Sequence, residues 1–420
     1  MHPLINTFEE LNEQRSAISR RTLTDDYPTL HHYLESLSQK MGCKLDTELR
    51  FVCDFLVIYG RKSAGTFNRF RNEIERFCLF CWEKLNKSIF EIRRRDLEHY
   101  IEFVWKPELG WVGTSVQQRF VLKQGQFIIN PQWRPFVAKI AKSELKKDSE
   151  KEVDPKEYRI SSDSLNATFT ALNVFYKHAL LEDRCEVNFV PVVKKNCPYL
   201  IKKTQIRMPE TLSELQWEYV FGVTQEKAEE DKKYERNLFL LACLKGLYLR
   251  ISEVSERPNW TPLMNNFWMD NDGFWFYRVL GKGNKVRDVT LSDDFLDYLK
   301  RYRLYRGLSP LPSPDEQTPV IAKLRGSGNM SSRQLRRIVQ ESFDLAIEQL
   351  KLDGFSDDAN DLLAATTHWL RHTGATDDAD KRPLKHLSED LGHASMTTTD
   401  AVYIQSNIKD RAKTGKGRKL

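Results

Sequence analysis

The second half of the chain carries six polar residues, in a fixed order, that any fold of this region has to bring together. They are two arginines, a lysine, two histidines and a tyrosine: Arg250, Lys282, His368, Arg371, His393 and Tyr403. Guanidinium groups bind phosphate oxygens through paired hydrogen bonds, and a phenol surrounded by cations can act as a nucleophile. The set therefore predicts a phosphodiester site in which a tyrosine hydroxyl attacks a DNA phosphate. No cluster of metal-ligating residues accompanies it in the sequence.

Each of these residues stands in a short motif. The motifs, in chain order, are Arg250-Ile251-Ser252-Glu253, Gly281-Lys282-Gly283-Asn284-Lys285, His368-Trp369-Leu370-Arg371, and Leu391-Gly392-His393 followed by Tyr403. The ordered set resembles the tyrosine recombinase (phage integrase) family, strongly over 208–405 and more weakly over 49–195. The resemblance implies a mainly α-helical fold with a small antiparallel β-sheet. A helical DNA-clamping domain would precede a mixed α/β catalytic domain.

The resemblance also implies roles for both arginines and for the other residues of the first two motifs. Arg250 and Arg371 would hold the phosphate and stabilise the charge that develops on its oxygens during attack. Lys282 would act as the general acid that protonates the departing 5′ oxygen, and Lys285 in the same turn competes for that role. Glu253 would support the site by holding a basic partner.

The later motifs supply the nucleophile and its helpers. His368 and Arg371 are three residues apart and so lie on one face of a helix. His368 would take or share the tyrosine proton, and His393 would bond the same phosphate. His372 is expected to point elsewhere and to be structural. Tyr403 is the nucleophile, and because a phenol has a pKa near 10 it needs nearby cations or a base.

The segment before Arg250 departs from the family pattern. In the family a Gly-Leu pair commonly leads directly into the first arginine, whereas here Gly246-Leu247 is followed by Tyr248 and Leu249 before Arg250. The sequence predicts a two-residue difference in the preceding turn.

The implied reaction needs neither a metal ion nor ATP, so no cofactor is expected. Tyr403 would form a 3′-phosphotyrosyl bond and free a 5′ hydroxyl, and a 5′ hydroxyl from a partner strand would then resolve the link. By resemblance, a homotetramer acts on two double-stranded DNA duplexes with specific recombination sites. Accessory DNA-bending or directionality proteins are candidate partners. The long N-terminal part and the insertion at 106–160 favour integration or excision of a mobile element over a minimal housekeeping resolvase.

Other functions are compatible with the same residues. A type IB topoisomerase would relax supercoils as a monomer, and a telomere resolvase would seal hairpin ends. A non-catalytic relative would only bind DNA, but its usual sign is the loss of a catalytic residue. All six candidates are present in the sequence.

The length of 420 residues predicts more than one domain. Five segments are expected: an N-terminal extension at 1–48, a helical DNA-clamping domain at 49–193 with an insertion at 106–160, a basic linker at 194–207, the catalytic domain at 208–408 and a basic tail at 409–420. The charged run at 144–157 has both signs and no apolar face, which favours a solvated loop.

Local signals place a few elements within these domains. Thr66 is expected to cap a helix that carries an apolar face and several arginines. The β-rich runs at 274–280 and 286–291 surround a Gly-rich turn and predict a hairpin. Ser331 or Ser332 is expected to cap a later helix.

Basic residues in two regions are candidates for DNA binding: Arg61, Lys62, Arg69 and Arg71 on or beside the first arginine-rich helix, and Lys194, Lys195, Lys202 and Lys203 in the linker. The net charge of +6 is weak evidence, because 59 acidic residues nearly balance 65 basic ones. The linker could be a simple tether. Its composition favours a strap along the phosphate backbone, where each contact releases counterions.

Cysteine usage and hydropathy bear on the compartment. The seven cysteines are scattered and odd in number, which argues against a disulfide framework and for a reducing cytoplasm. A DNA-acting enzyme there is also expected to associate with the nucleoid. Cys78 and Cys81 lie in an apolar helical stretch and are predicted to pack in the core. The sequence has no 18-residue apolar run and no visible signal peptide, so no membrane partner is expected.

Overall fold

The computed structural model divides into two compact units, Met1–Thr204 and Gln205–Leu420. The structure describes residues 1–61, 63–141, 144, 151–200, 210–281, 283–393 and 416. Helices predominate in both units and the strands are short. The prediction of a mainly α fold with a small antiparallel sheet is therefore confirmed. No helix in the described ranges is long and apolar enough to cross a membrane.

The first unit consists of helices closed over one apolar core. Its helices are α1 (Phe8–Arg20), α2 (Leu23–Asp26), α3 (Pro28–Met41), α4 (Leu45–Gly60), α5 (Ala64–Leu79), α6 (Arg94–Trp105), α7 (Ser162–Leu181) and α8 (Val190–Lys195). A π-helical segment, Phe80–Leu85, continues α5. Cys78 and Cys81 are fully buried in this core, so the prediction that they pack there is confirmed.

The first 48 residues, expected to form an extension, are part of the same core. Leu4 and Ile5 are fully buried, and their backbone N–H groups donate to the Glu75 carboxylate at 2.7 and 3.1 Å. Helix α4 runs across the expected boundary at residue 49. The segment is polar overall, but its buried residues recur at helical spacing, as at Leu11 and Ile18 in α1.

Helix α5 is capped by Ser63 and not by Thr66. Ser63 has an extended backbone, and its Oγ accepts the backbone N–H of Thr66 at 3.1 Å. A capping side chain accepts from a residue two or three positions later, so the earlier hydroxyl is the cap. The predicted apolar face is correct, because Phe67, Ile74 and Phe77 are buried.

The insertion at 106–160 contains strands that the sequence did not predict. These are β1 (Val112–Gly113), β2 (Phe120–Lys123), β3 (Gln126–Ile129) and β4 (Phe136–Val137). Strands β2 and β3 form an antiparallel hairpin, whereas β1 and β4 pair in parallel. Arg119 fastens the hairpin by donating to Glu75 at 3.0 Å and to Asn72 at 2.6 Å. Most of the charged run at 144–157 lies outside the described residues or is exposed.

The second unit combines helices with one antiparallel sheet. Its helices are α9 (Glu214–Glu230), α10 (Glu235–Gly246), α11 (Asp293–Tyr305), α12 (Ser332–Leu352), α13 (Ser356–Leu362), α14 (Thr367–Ala379) and α15 (Leu384–Leu391). Its strands are β5 (Phe267–Met269), β6 (Trp275–Leu280) and β7 (Val286–Thr290), in the order β5-β6-β7. Strands β6 and β7 form the predicted hairpin. Ser331 caps α12 in a capping box with Gln334.

Candidate active site

Arg250 begins a short 3₁₀ turn, Ile251–Glu253, that follows the end of α10. Its backbone N–H donates to Oε2 of Glu253 at 2.8 Å, and its Nη1 donates to Oε1 of the same carboxylate at 3.1 Å. A quarter of the Arg250 side chain is exposed. The turn therefore fixes the base of this side chain and leaves part of the guanidinium accessible to a ligand.

Tyr248 lies in the two-residue stretch that departs from the family pattern. It has φ +50°, in the left-handed region that glycine adopts most readily. The chain before Arg250 thus turns through a conformation that glycine usually supplies, and the two-residue difference from the family stays a prediction. The Tyr248 hydroxyl donates to Asp378 and accepts from Nη1 of Arg382 at 3.1 Å. Burial and the Asp378 carboxylate raise the pKa of this phenol, so it stays protonated.

Glu253 is a buried carboxylate shared by two arginines. Nη1 and Nη2 of Arg287 donate to its two oxygens at 2.8 and 2.9 Å, in addition to the bonds from Arg250. Burial alone would raise the pKa of Glu253, but the hydrogen bonds and charge of Arg287 outweigh burial and lower it. Glu253 is therefore charged and holds basic partners.

Arg371 lies on α14 and is almost fully buried, with 3% of its side chain exposed. Its Nη1 donates to the backbone oxygen of Tyr248, and its Nη2 donates to that of Leu391 at 2.6 Å. Nη1 also lies 3.9 Å from Oε2 of Glu253. One guanidinium thus contacts the segment before Arg250 and the end of α15.

His368 and His372 lie one turn apart on α14, near its start. Desolvation and the charges of Arg371 and Arg250 lower the pKa of His368. Desolvation, Arg371 and His368 lower the pKa of His372 to about 4. The charge of Arg250 also acts on His372, and the expectation that its side chain points away from the site stays a prediction.

His393 follows the helix-ending residue Gly392, which has φ +64°. The His393 backbone N–H donates to the carbonyl of Ser388 at 3.2 Å. Burial, then the charges of Arg371 and Arg250, lower the pKa of His393 to about 4. The imidazole is therefore neutral near pH 7 and can donate a hydrogen bond to an anion or accept one.

Four of the six predicted residues thus come together, from three separated parts of the chain. The charges of the two arginines lower the pKa of both imidazoles, those of His368 and His393. Lys282 and Tyr403 lie outside the described residues. Lys285, at the end of the hairpin turn, is exposed, and its carbonyl accepts the Gly281 N–H at 2.8 Å.

Arg287 is a residue of the site that the sequence did not predict. A signal for Arg287 was present, because it alternates with outward residues on β7 and shares the inward face with buried Val289. A charged side chain at an inward position requires a buried partner. The sequence alone does not identify that partner as Glu253.

The candidate DNA-binding residues of the first unit have different surroundings. Arg61 and Arg69 are exposed, whereas Arg71 is buried and donates to the Asn6 carbonyl at 3.0 Å and to Asn68 at 2.7 Å. Arg71 therefore packs the N-terminal segment and does not face solvent. The other candidates form two groups: exposed residues in the last turn of α8, Lys194 and Lys195, and residues outside the described ranges, Lys62, Lys202 and Lys203. The linker expected from residue 194 thus starts within a helix.

The chain was compared with known proteins. The model of the Phage integrase family matches residues 212–410. Tyrosine recombinase XerC of Leptospira interrogans (serovar copenhageni, strain Fiocruz L1-130) is 28% identical over 250 residues, which are 59% of this chain and 70% of XerC. Tyrosine recombinase XerD of Rickettsia conorii is 25% identical over 289 residues, 66% of this chain and 86% of XerD.

A solved structure shares the fold. The XerH site-specific recombinase bound to a palindromic difH substrate, in a post-cleavage complex, superposes with a TM-score of 0.53. The match covers 99% of this chain and 98% of XerH at 14% identity, and so bears on the fold alone. The family match and the two relatives, which are tyrosine recombinases, show that the chain carries a tyrosine recombinase domain over residues 212–410 and is a tyrosine site-specific recombinase.

Proposed function

We propose that this enzyme cuts and rejoins double-stranded DNA at specific sites through a 3′-phosphotyrosyl intermediate on Tyr403, without a metal ion or ATP. The observation that carries the proposal is the convergence of Arg250 and Arg371 beside two neutral imidazoles, His368 and His393. Such a cluster is suited to a phosphate, whose negative charge would pair with the guanidiniums.

The first step would conserve the phosphodiester bond energy. The Tyr403 oxygen attacks phosphorus, the bond from phosphorus to the 5′ oxygen breaks, and Lys282 gives that oxygen a proton. The phenol proton passes to His368, whose lowered pKa keeps it neutral and able to accept. In the second step a 5′ hydroxyl from another strand attacks phosphorus and releases the tyrosine.

The two arginines would stabilise the charge that develops on the phosphate oxygens. Arg371 is held by backbone carbonyls on both sides and Arg250 by the Glu253 carboxylate. Donors held in place before the reaction need no reorganisation during it, which is why such groups contribute strongly to catalysis. His393 would add a hydrogen bond to the same phosphate.

The biological setting we propose is integration or excision of a mobile element by four protomers on two duplexes. The long N-terminal part and the insertion at 106–160 support this over a minimal resolvase. The XerH complex with difH, a recombinase of the same fold bound to its DNA substrate, supports DNA as the partner. The DNA that flanks the gene is the natural source of candidate sites.

The test uses nicked duplexes made from that flanking DNA, incubated with excess EDTA. We expect an SDS-stable protein–DNA adduct that retains the label 5′ of the break, and a free 5′ hydroxyl on the released strand. Loss of cleavage on chelation that magnesium restores would contradict the proposal. Relaxation of a plasmid without any such site would favour a type IB topoisomerase instead.

A further inference from the structure

Arg287 on β7 makes three hydrogen bonds next to the candidate site. Nη1 and Nη2 form a fork with Glu253 at 2.8 and 2.9 Å, and Nε donates to the backbone oxygen of Asp390 at 2.8 Å. Only 11% of its side chain is exposed. All three guanidinium nitrogens of Arg287 donate hydrogen bonds to groups of the protein.

Two glycines next to the site leave space for this side chain. A Cβ on Gly281, beside Lys282, would lie 2.9 Å from Nη1 of Arg287. A Cβ on Gly392, beside His393, would lie 2.8 Å from its Cδ. With the fork to Glu253, Arg287 therefore adjoins the turn of Arg250, the hairpin turn and the turn of His393.

The negative charge of Glu253 affects how strongly the Arg250 guanidinium can bind a phosphate. Both guanidiniums donate to the same buried carboxylate, and the side-chain bonds from Arg287 are shorter than the one from Arg250. Without Arg287, the full charge of Glu253 would act on Arg250 and compete with a phosphate for its guanidinium. A buried carboxylate that loses one cationic partner interacts more strongly with the remaining one, because an unpaired buried charge is unfavourable.

We propose that Arg287 is a positioning residue that neutralises Glu253 and thereby leaves the charge of Arg250 available to a bound phosphate. The proposal rests on the proposed function only in treating Arg250 as a phosphate ligand. It makes a prediction that a simple packing role does not make: removal of the Glu253 charge should compensate for removal of the Arg287 charge.

The experiment compares Arg287→Met, Glu253→Gln and the double variant, as full-length proteins. Glutamine keeps the shape of Glu253, and its Oε1 can still accept the Arg250 N–H. In single-turnover cleavage we expect Arg287→Met to be about 10²-fold slower, the order of loss that misplacement of a reacting group causes. DNA affinity should change less than the rate. The double variant should recover roughly 10-fold over Arg287→Met.

The sheet itself offers a matched control. Arg278 on β6 forms a similar fork with Asp288 at 2.9 and 3.0 Å, but half of its side chain is exposed and the pair lies on the outer face. Arg278→Met should cleave within about 2-fold of wild type, because exposed ion pairs contribute little. If Arg287→Met does not fold, Arg287→Lys takes its place. Lysine keeps the positive charge, so we expect the cleavage rate of Arg287→Lys to lie closer to wild type than the rate of any folded variant with a neutral residue at this position.

A second readout separates this proposal from the proposed function. Inorganic phosphate is titrated into each variant, and the rise in unfolding temperature reports its binding, with Arg250→Ala marking the part that depends on the site. We expect weaker binding in Arg287→Met and recovery in the double variant. Absence of any covalent adduct in wild type would refute the proposed function. The phosphate-dependent rise in unfolding temperature would then still test the role of Arg287. A double variant no better than Arg287→Met in both measurements would overturn the role of Arg287.

Discussion

The substitution Gly374→Ala tests the helix packing that positions the site. Gly374 lies on α14, three residues after Arg371, and a Cβ there would lie 2.1 Å from the backbone oxygen of Lys245 on α10. Side-chain carbons essentially never come within 3.0 Å of such an atom. A backbone oxygen in a helix cannot swing aside, so α14 has to move by about 1 Å relative to α10.

The expected effect has two parts. Overpacking of this kind costs about 1–3 kcal/mol, and for a unit of this size each kcal/mol lowers the unfolding temperature by roughly 2–4 °C. The same shift would displace Arg371 from the carbonyls of Tyr248 and Leu391. A misplacement of about 1 Å can slow an enzyme about 10²-fold.

Gly222→Ala is the matched control. Gly222 lies in α9, and nothing lies within 4 Å of the Cβ that would be added. Alanine in such a helix interior should stabilise the protein by about 0.5–1 kcal/mol. Calorimetry gives the unfolding temperatures, and single-turnover cleavage gives the rates. If Gly374→Ala is as stable and as active as Gly222→Ala, the close approach of α14 to α10 is wrong.

Three further predictions concern chemistry, pH and DNA binding. Lys282→Ala should slow cleavage of normal DNA far more than that of DNA with a 5′-thio leaving group, which needs no proton; equal slowing would make Lys282 a phosphate contact only. The pKa values of His372 and His393 lie at about 4 in the folded state, below the ordinary value of 6.5, so the unfolded state binds more protons between these values and stability should fall as pH drops from 6.5 towards 4. Replacing both with Asn should flatten that fall in urea titrations, and an unchanged pH profile would contradict the assignment. The slope of log K against log[salt] for DNA binding should become shallower when the four linker lysines are replaced by Ala. These are Lys194, Lys195, Lys202 and Lys203. An unchanged slope would contradict the proposal that the linker binds along the phosphate backbone.

Local patterns were enough to predict the elements that carry their own signals. The β6–β7 hairpin followed from two β-rich runs around a Gly-rich turn, and α12 from Ser331 and its apolar period. The ordered motifs identified the arginines and histidines because the resemblance supplied which distant residues meet. Convergence itself is a property of the fold and not of any one motif.

Other features depend on contacts that no local pattern encodes. The burial of Leu4 and Ile5 depends on Glu75, some seventy residues later. The fork between Arg287 and Glu253 joins a strand to a turn. Tyr248 adopts a conformation that its residue type disfavours, because its hydroxyl is fixed by Asp378 and Arg382. In each case tertiary contacts outweigh local preference.

The central claim is that Tyr403 forms a covalent bond with a 3′ phosphate, and the direct measurement is peptide mapping of the trapped adduct. The substrate is a nicked duplex, and the proteins are wild type, Tyr403→Phe and Tyr248→Phe. Tyr248 is the control, because its carbonyl bonds Arg371 but its hydroxyl is engaged by Asp378. We predict a 3′-linked adduct on the peptide with Tyr403 in wild type and in Tyr248→Phe. Tyr403→Phe should bind DNA nearly normally and form none. An adduct that persists in Tyr403→Phe, or one joined to a 5′ phosphate, would contradict the claim.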